Sequence, residues 1–88
     1  MNRYVYIFYR YYQRGTREYS SFEDALYSFV CDFDYDKTYG IGIYDREAKV
    51  LHVPFYFDEG QYNLAKEETK KLGYEIEEVQ SFEFLKKK

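Results

Sequence analysis

The chain has 88 residues, of which 24% are aromatic, and its formal net charge is −3. This length predicts one domain, residues 1–88, and the small charge indicates no partner by itself. Cys31 is the only cysteine, which excludes an internal disulfide, and the lack of a long apolar run excludes a transmembrane helix.

The first predicted element is a strand over residues 3–12, RYVYIFYRYY, which contain five tyrosines. Aromatic and β-branched side chains suit a pleated sheet better than a helix. Both faces of this strand are apolar or aromatic. Such a strand must be covered on both faces, or it must present one face to a partner.

A turn and an amphipathic helix follow the strand. Gly15 favours a turn, and Ser20 with Glu23 has the spacing of a capping box. The apolar residues beyond them recur on one side of a helix and predict a core-facing stripe. These residues are Phe22, Ala25, Leu26, Phe29, Val30 and Phe33.

The second half of the chain predicts a hairpin, a helix and a last strand. Strands are expected at residues 39–45 and 50–57, with a short turn between them. Asp58 is the expected N-cap of a helix over residues 59–72. Alternating apolar residues predict the last strand at residues 74–85.

The order strand, helix, strand, strand, helix, strand predicts an α+β fold of the ferredoxin-like split βαββαβ type. In that fold, a four-stranded antiparallel sheet carries both helices on one face. Pro54 lacks the N–H that a central strand needs. Either pairing therefore stops near Val53, or the third strand lies at an edge of the sheet.

Alternation along the strands assigns Val5, Ile7 and Tyr9 to the helix-covered face, together with Ile41 and Ile43. The opposite face is then open and aromatic, and an exposed patch of that kind predicts a partner-binding surface. The residues assigned to it are Tyr4, Tyr6, Phe8, Arg10, Tyr44, His52 and Tyr56.

Three acidic residues, Asp32, Asp34 and Asp36, follow the first helix and are predicted to form a second contact with a basic partner. Their spacing resembles the start of a calcium-binding EF-hand loop. Lys37 replaces the required glycine and Ile43 replaces the final glutamate, which excludes that loop.

These patterns predict a non-enzymatic protein that masks or recruits a macromolecular partner, or associates with a second copy, through the aromatic face. No catalytic or metal-binding motif is evident, so we expect no cofactor and no metal. The N-terminus shows no signal peptide, which predicts a cytoplasmic location. Small size and acidic, tyrosine-rich composition are typical of phage or mobile-element inhibitors of host proteins.

Two alternatives remain open at this level. One is a sensor or sequestering protein for a nucleotide-like small molecule, gripped by Arg10, Arg14 and Arg17. The other is a single-stranded nucleic-acid binder that stacks bases on the aromatic face. The RNA recognition motif family shares the element order, but residues 49–53, KVLHV, do not match its third-strand pattern.

Overall fold

The computed structural model describes residues 2–33 and 37–83 and confirms the α+β class. No helix within those ranges is long and apolar enough to cross a membrane. The elements in chain order are β1 (Tyr4–Arg10), β2 (Gln13–Tyr19), α1 (Phe22–Phe33), β3 (Thr38–Asp45), β4 (Val50–Pro54), α2 (Glu59–Lys71) and β5 (Glu78–Phe82).

The strands form one five-stranded mixed sheet in the order β2-β1-β3-β4-β5, in which only β4 and β5 are parallel. The predicted four-stranded antiparallel sheet is therefore wrong in two respects. It lacks β2, and it assigns the wrong direction to the last strand. Residues of β2 are mostly polar because solvent reaches both faces of this edge strand, so the usual apolar alternation is missing.

The two helices lie on opposite faces of the sheet. Successive residues of a strand point to opposite sides. In β1, Ile7 packs in a cluster with Ala65 of α2, whereas Phe8 packs in a second cluster with Phe29 of α1. The prediction that both helices cover the same face is therefore wrong, and in the described part of the chain each face of the sheet packs against a helix.

Strand direction explains this placement. Helix α1 connects β2 to β3, which run parallel to each other on either side of β1, and α2 connects β4 to β5. Both connections move the chain across the sheet toward the β5 edge. However, β2 and β3 run antiparallel to β4 and β5. Right-handed crossovers, the strongly preferred hand, then place the two helices on opposite faces.

A bulge in β3 changes which face of the sheet the following side chains occupy, so the predicted alternation along this strand fails. The register between β1 and β3 shifts after Ile7, where β3 contains one extra residue, Ile41. As a result, Ile41 joins the cluster under α2 and Ile43 joins the cluster under α1. The prediction that these two residues share a face is wrong.

Pro54 occupies the last position of β4. Pairing between β4 and β3 extends only from Val50 to His52, so no β3 carbonyl requires a donor from the proline. On the other side, pairing with β5 continues through Pro54, and the Phe55 N–H donates to the Phe82 carbonyl at 2.8 Å. The predicted stop near Val53 therefore applies only to pairing with β3, and β4 lies inside the sheet.

Both helices begin at side-chain caps. Asp58 and Gln61 form a reciprocal capping box at the start of α2, as the predicted N-cap requires. At the start of α1, the Ser21 hydroxyl accepts the Asp24 N–H at 3.1 Å. The cap is therefore Ser21, one residue later than the predicted Ser20.

Candidate functional site

Three residues of the predicted open face are buried. Tyr6 has no exposed surface, and Phe8 and Tyr44 are also in the core. Helix α1 covers the first two, and Tyr44 points to the α2 side because of the bulge. The prediction that these three residues are exposed is therefore wrong, and this exposure was the reason for assigning them to partner binding.

Asp32 is also a core residue. Its Oδ2 accepts a hydrogen bond from the Tyr6 hydroxyl at 3.0 Å, and its Oδ1 lies 3.8 Å from Nη2 of Arg10. Burial and the nearby Asp32 carboxylate raise the pKa of Tyr6. The predicted role of Asp32 as a surface contact is wrong, while Asp34 and Asp36 lie outside the described residues.

Tyr4 and His52 are half-buried against the start of α1. The Phe22 ring lies 5.8 Å from the Tyr4 ring and 4.9 Å from the His52 ring. Burial lowers the pKa of His52, which favours the neutral imidazole at neutral pH. These two residues therefore contribute to helix packing, and among the aromatic candidates only Tyr56 is exposed.

The three arginines of the small-molecule alternative do not converge. Arg14 lies on the α2 side, where its Nη1 donates to Glu68 at 2.7 Å. Arg17 lies on the α1 side, with its guanidinium 5.2 Å from the centre of the Phe8 ring. Arg10 also points to the α1 side. The sheet separates Arg14 from Arg10 and Arg17, so the predicted single binding site is wrong.

The exposed aromatic residues gather at one end of the sheet, where β1 ends, β3 begins and the chain leaves β4. Six of the seven large apolar residues exposed in the described ranges lie there, and Tyr27 on α1 is the seventh. We call this region the aromatic end. It consists of Tyr9, Tyr11, Tyr12, Phe33, Tyr39, Phe55, Tyr56 and Phe57.

Tyr11 and Tyr12 form the two-residue turn between β1 and β2, with φ values of 52° and 65°. Positive φ at both positions is the type I′ turn, which strongly favours Asn-Gly. For other residues this conformation costs about 1 to 2 kcal/mol each. The two rings are 66% and 93% exposed, so core packing does not compensate for this cost.

A chain of ring contacts continues the aromatic end from α1 to β3. The Tyr56 ring lies 5.8 Å from Phe33 and 5.6 Å from Phe57, and Phe57 stacks on Tyr39 at 6.2 Å. Burial raises the pKa of Tyr56 to about 12. Its hydroxyl therefore loses its proton only at strongly alkaline pH.

A surface pocket of about 570 Å³ opens between the β1–β2 turn and the start of β3. Among the described residues, no acidic side chain forms an ion pair with Lys37, whose backbone also has a positive φ of 71°. The pocket thus combines aromatic walls with one cationic group. Its lining residues are Tyr9, Tyr11, Tyr12, Lys37, Thr38 and Tyr39.

The opposite end of the sheet, which we call the polar end, carries a second cavity of about 580 Å³. Its charged groups are paired with each other. Arg46 Nη2 donates to Glu18 at 2.8 Å, and Lys49 Nζ donates to Glu75 at 2.8 Å. No group of metal-ligating side chains occurs in residues 2–33 and 37–83.

Sequence reasoning missed Tyr11, Tyr12, Lys37 and Tyr39 as site residues. The prediction extends the first strand to Tyr12 and places the turn at Gly15, because a tyrosine pair carries no turn signal. Residue types alone could not reveal this site. Only the pairing of Arg10 with Gln13 shows that the chain reverses between them.

The fold and this site can be compared with those of known proteins. No protein-family model, curated protein sequence or solved structure matches the chain. The geometry of the aromatic end is therefore the basis for the function proposed below.

Proposed function

We propose that the protein is a non-enzymatic binding module that captures a protein partner through its aromatic end and thereby masks or recruits that partner. The observation that carries this proposal is the exposed tyrosine pair in the β1–β2 turn. Tyrosine supplies a large, rigid apolar surface with a polar tip, and it is enriched at the energetic centres of protein interfaces.

The backbone of this turn supports a role beyond folding. Tyr11 and Tyr12 are poor choices for a type I′ turn, and neither ring is buried. Residues held in disfavoured conformations cluster at functional sites, where the local cost is tolerated for the sake of the side chains. An interaction with a partner would give both rings the burial that the isolated domain lacks.

The pocket indicates the chemistry of the partner. Its tyrosine walls suit an apolar side chain, and Lys37 suits a carboxylate nearby. We therefore propose that the partner presents an apolar residue next to an acidic one.

The double variant Tyr11→Asn with Tyr12→Gly tests this proposal, because it gives the turn its preferred residues and removes both rings. It should fold at least as well as the wild type but capture partner proteins from the source cell at least tenfold less efficiently. The matched control is Tyr27→Ser, which removes a ring that is 72% exposed on α1.

Site-specific photocrosslinking tests directly whether the aromatic end contacts the partner. A photoreactive phenylalanine analogue at position 12 should crosslink to the same partner that the wild type captures, and the analogue at position 27 should not. Equal crosslinking at both positions, or full capture by the double turn variant, would overturn the assignment of the aromatic end.

The size of the pocket favours a second candidate, a nucleotide-like small molecule. Ligand pockets occupy roughly 300 to 1,000 Å³, and tyrosine rings with a lysine can hold a base and a phosphate. In this case, millimolar nucleotides should raise the melting temperature of the wild type and not that of Lys37→Ala. No shift with any common nucleotide removes this candidate and leaves the protein-binding proposal unaffected.

A further inference from the structure

Strand β2 forms an edge of the sheet that nothing in the described part of the chain covers. It has seven residues, of which five are exposed, and it pairs with β1 in regular register without a bulge or a proline. The opposite edge, β5, has only five residues. An uncovered edge of this length offers its backbone groups for pairing with another strand.

The hairpin geometry identifies the free backbone groups. Arg10 and Gln13 close a two-residue turn and form a hydrogen-bonded pair. Hydrogen-bonded and non-hydrogen-bonded pairs alternate along an antiparallel ladder. The N–H and C=O groups of Arg14, Thr16 and Glu18 therefore point away from β1, toward the free edge.

We propose that β2 pairs antiparallel with β2 of a second copy of this chain, about a two-fold axis at Thr16. In this register Thr16 lies opposite its own counterpart, and Arg14 of each copy lies opposite Glu18 of the other. All three residues face the new neighbour with their free N–H and C=O groups. Each opposed pair exchanges two hydrogen bonds, so the three pairs, Arg14–Glu18, Thr16–Thr16 and Glu18–Arg14, give about six bonds.

Charge complementarity selects this partner and this register. Opposite charges face each other twice across the axis, on the face of the sheet that α2 covers. In the single chain Arg14 already pairs with Glu68, and Glu18 already pairs with Arg46. The dimer joins these two pairs into one row of alternating charges across the interface.

Neighbouring registers are less favourable. An axis at Gly15 places Arg14 opposite Thr16 and leaves the charges unmatched, whereas an axis at Arg17 places two arginines directly opposite each other. With the axis at Thr16, Arg17 lies opposite Gly15, which has no side chain to obstruct it. Charged residues on an edge strand normally prevent random pairing, and here they permit one self-complementary arrangement.

This dimer goes beyond the proposed partner capture and does not depend on it. Because the two β2 strands are antiparallel, the two β1–β2 turns lie at opposite ends of the paired strands. Each dimer then presents two aromatic ends that point in opposite directions. A partner with repeated copies of its epitope would bind such a dimer with increased avidity.

The change Thr16→Lys tests the dimer, because it places two ammonium groups opposite each other at the axis. Thr16 is exposed, so the monomer fold should persist in circular dichroism. In sedimentation equilibrium, the wild type should dimerise in the micromolar range, and Thr16→Lys should raise the dissociation constant at least tenfold.

The matched control Thr16→Val should dimerise like the wild type. A wild type that is monomeric at several hundred micromolar, or a Thr16→Lys variant that dimerises equally well, overturns the proposal.

Disulfide trapping tests the register independently, in a Cys31→Ser background that removes the exposed native thiol. Opposed residues of a hydrogen-bonded pair have Cα atoms about 5.5 Å apart, within the range that a disulfide spans. Thr16→Cys should therefore form a covalent dimer under mild oxidation. The control Arg17→Cys should not, because its counterpart is displaced along the strand. Equal trapping at both positions, or none at position 16, overturns the register.

Discussion

At the polar end of the sheet, the β3–β4 turn is held by a buried carboxylate, whereas at the aromatic end the β1–β2 turn consists of two exposed tyrosines. Asp45 is only 4% exposed and accepts two hydrogen bonds from Arg3, both at 2.8 Å. It also accepts the N–H groups of Glu47 and Ala48 at 3.0 and 3.2 Å. Among the residues that the structure describes, no side chain supports the tyrosine turn in a comparable way.

Under the proposed function, this difference separates stability from binding in a small domain. Hydrogen bonds to a buried, charged acceptor are among the stronger stabilising contacts, so the polar end contributes to the free energy of unfolding. The positive φ values of Tyr11 and Tyr12 act against it. Substitutions at the two turns should therefore change stability in opposite directions.

The largest effect is expected for Asp45→Ala, which leaves Arg3 and two turn N–H groups without their acceptor. The free energy of unfolding should fall by about 1 to 3 kcal/mol, as measured by urea denaturation at pH 7, because the buried carboxylate loses its hydrogen bonds to two turn N–H groups and to the partly exposed Arg3. Glu47→Ala is the matched control, since its exposed carboxylate lies 3.7 Å from Arg3. A loss of less than about 1 kcal/mol for Asp45→Ala would contradict this account of the polar end.

The second-largest expected effect is a loss of folding stability at acidic pH. The hydrogen bonds from Arg3 hold the pKa of Asp45 below its ordinary value of 3.8. A lowered carboxyl pKa stabilises the fold above the unfolded-state value, and this stabilisation is lost as the pH falls through the folded-state value. Below pH 4, roughly, the wild type should lose stability more steeply than Asp45→Asn. Parallel curves from pH 7 to pH 2 would show that Asp45 does not carry this dependence.

The third effect has the opposite sign. Tyr11→Asn with Tyr12→Gly should raise the free energy of unfolding by about 1 to 2 kcal/mol, because Asn and Gly tolerate positive φ. This gain is smaller than the summed cost of the two tyrosines because Gly loses more backbone entropy on folding. Urea denaturation with an unchanged slope would confirm that the folded state is otherwise the same. If the variant were less stable than the wild type, the rings would be contributing to packing, and the contrast between the two turns would fail.

The smallest effect is expected at the exposed rim of the polar end. Lys49→Met removes the ion pairs of Lys49 with Glu75 and Glu77, at 2.8 and 3.9 Å. Exposed pairs contribute little, so the melting temperature should stay within experimental error of the wild-type value. A larger loss in thermal denaturation would show that the rim pairs act together with Asp45.

The sequence by itself determined the features that depend on neighbours in the chain. The apolar period of residues 22–33 predicts α1, and Asp58 with Gln61 marks the start of α2 because their capping contacts are local. The α+β class follows from these elements. The aromatic content also predicted an interaction surface, which we propose to be the aromatic end.

The tertiary structure alone decided which faces and ends those residues occupy. Strand pairing and crossover hand, which are long-range properties, placed α1 over Tyr6 and Phe8 and so removed the open face. One extra residue at Ile41 reversed the alternation in β3. The chain reversal at Tyr11 and Tyr12 became evident only from pairing with Gln13, because nothing in two tyrosines favours a turn.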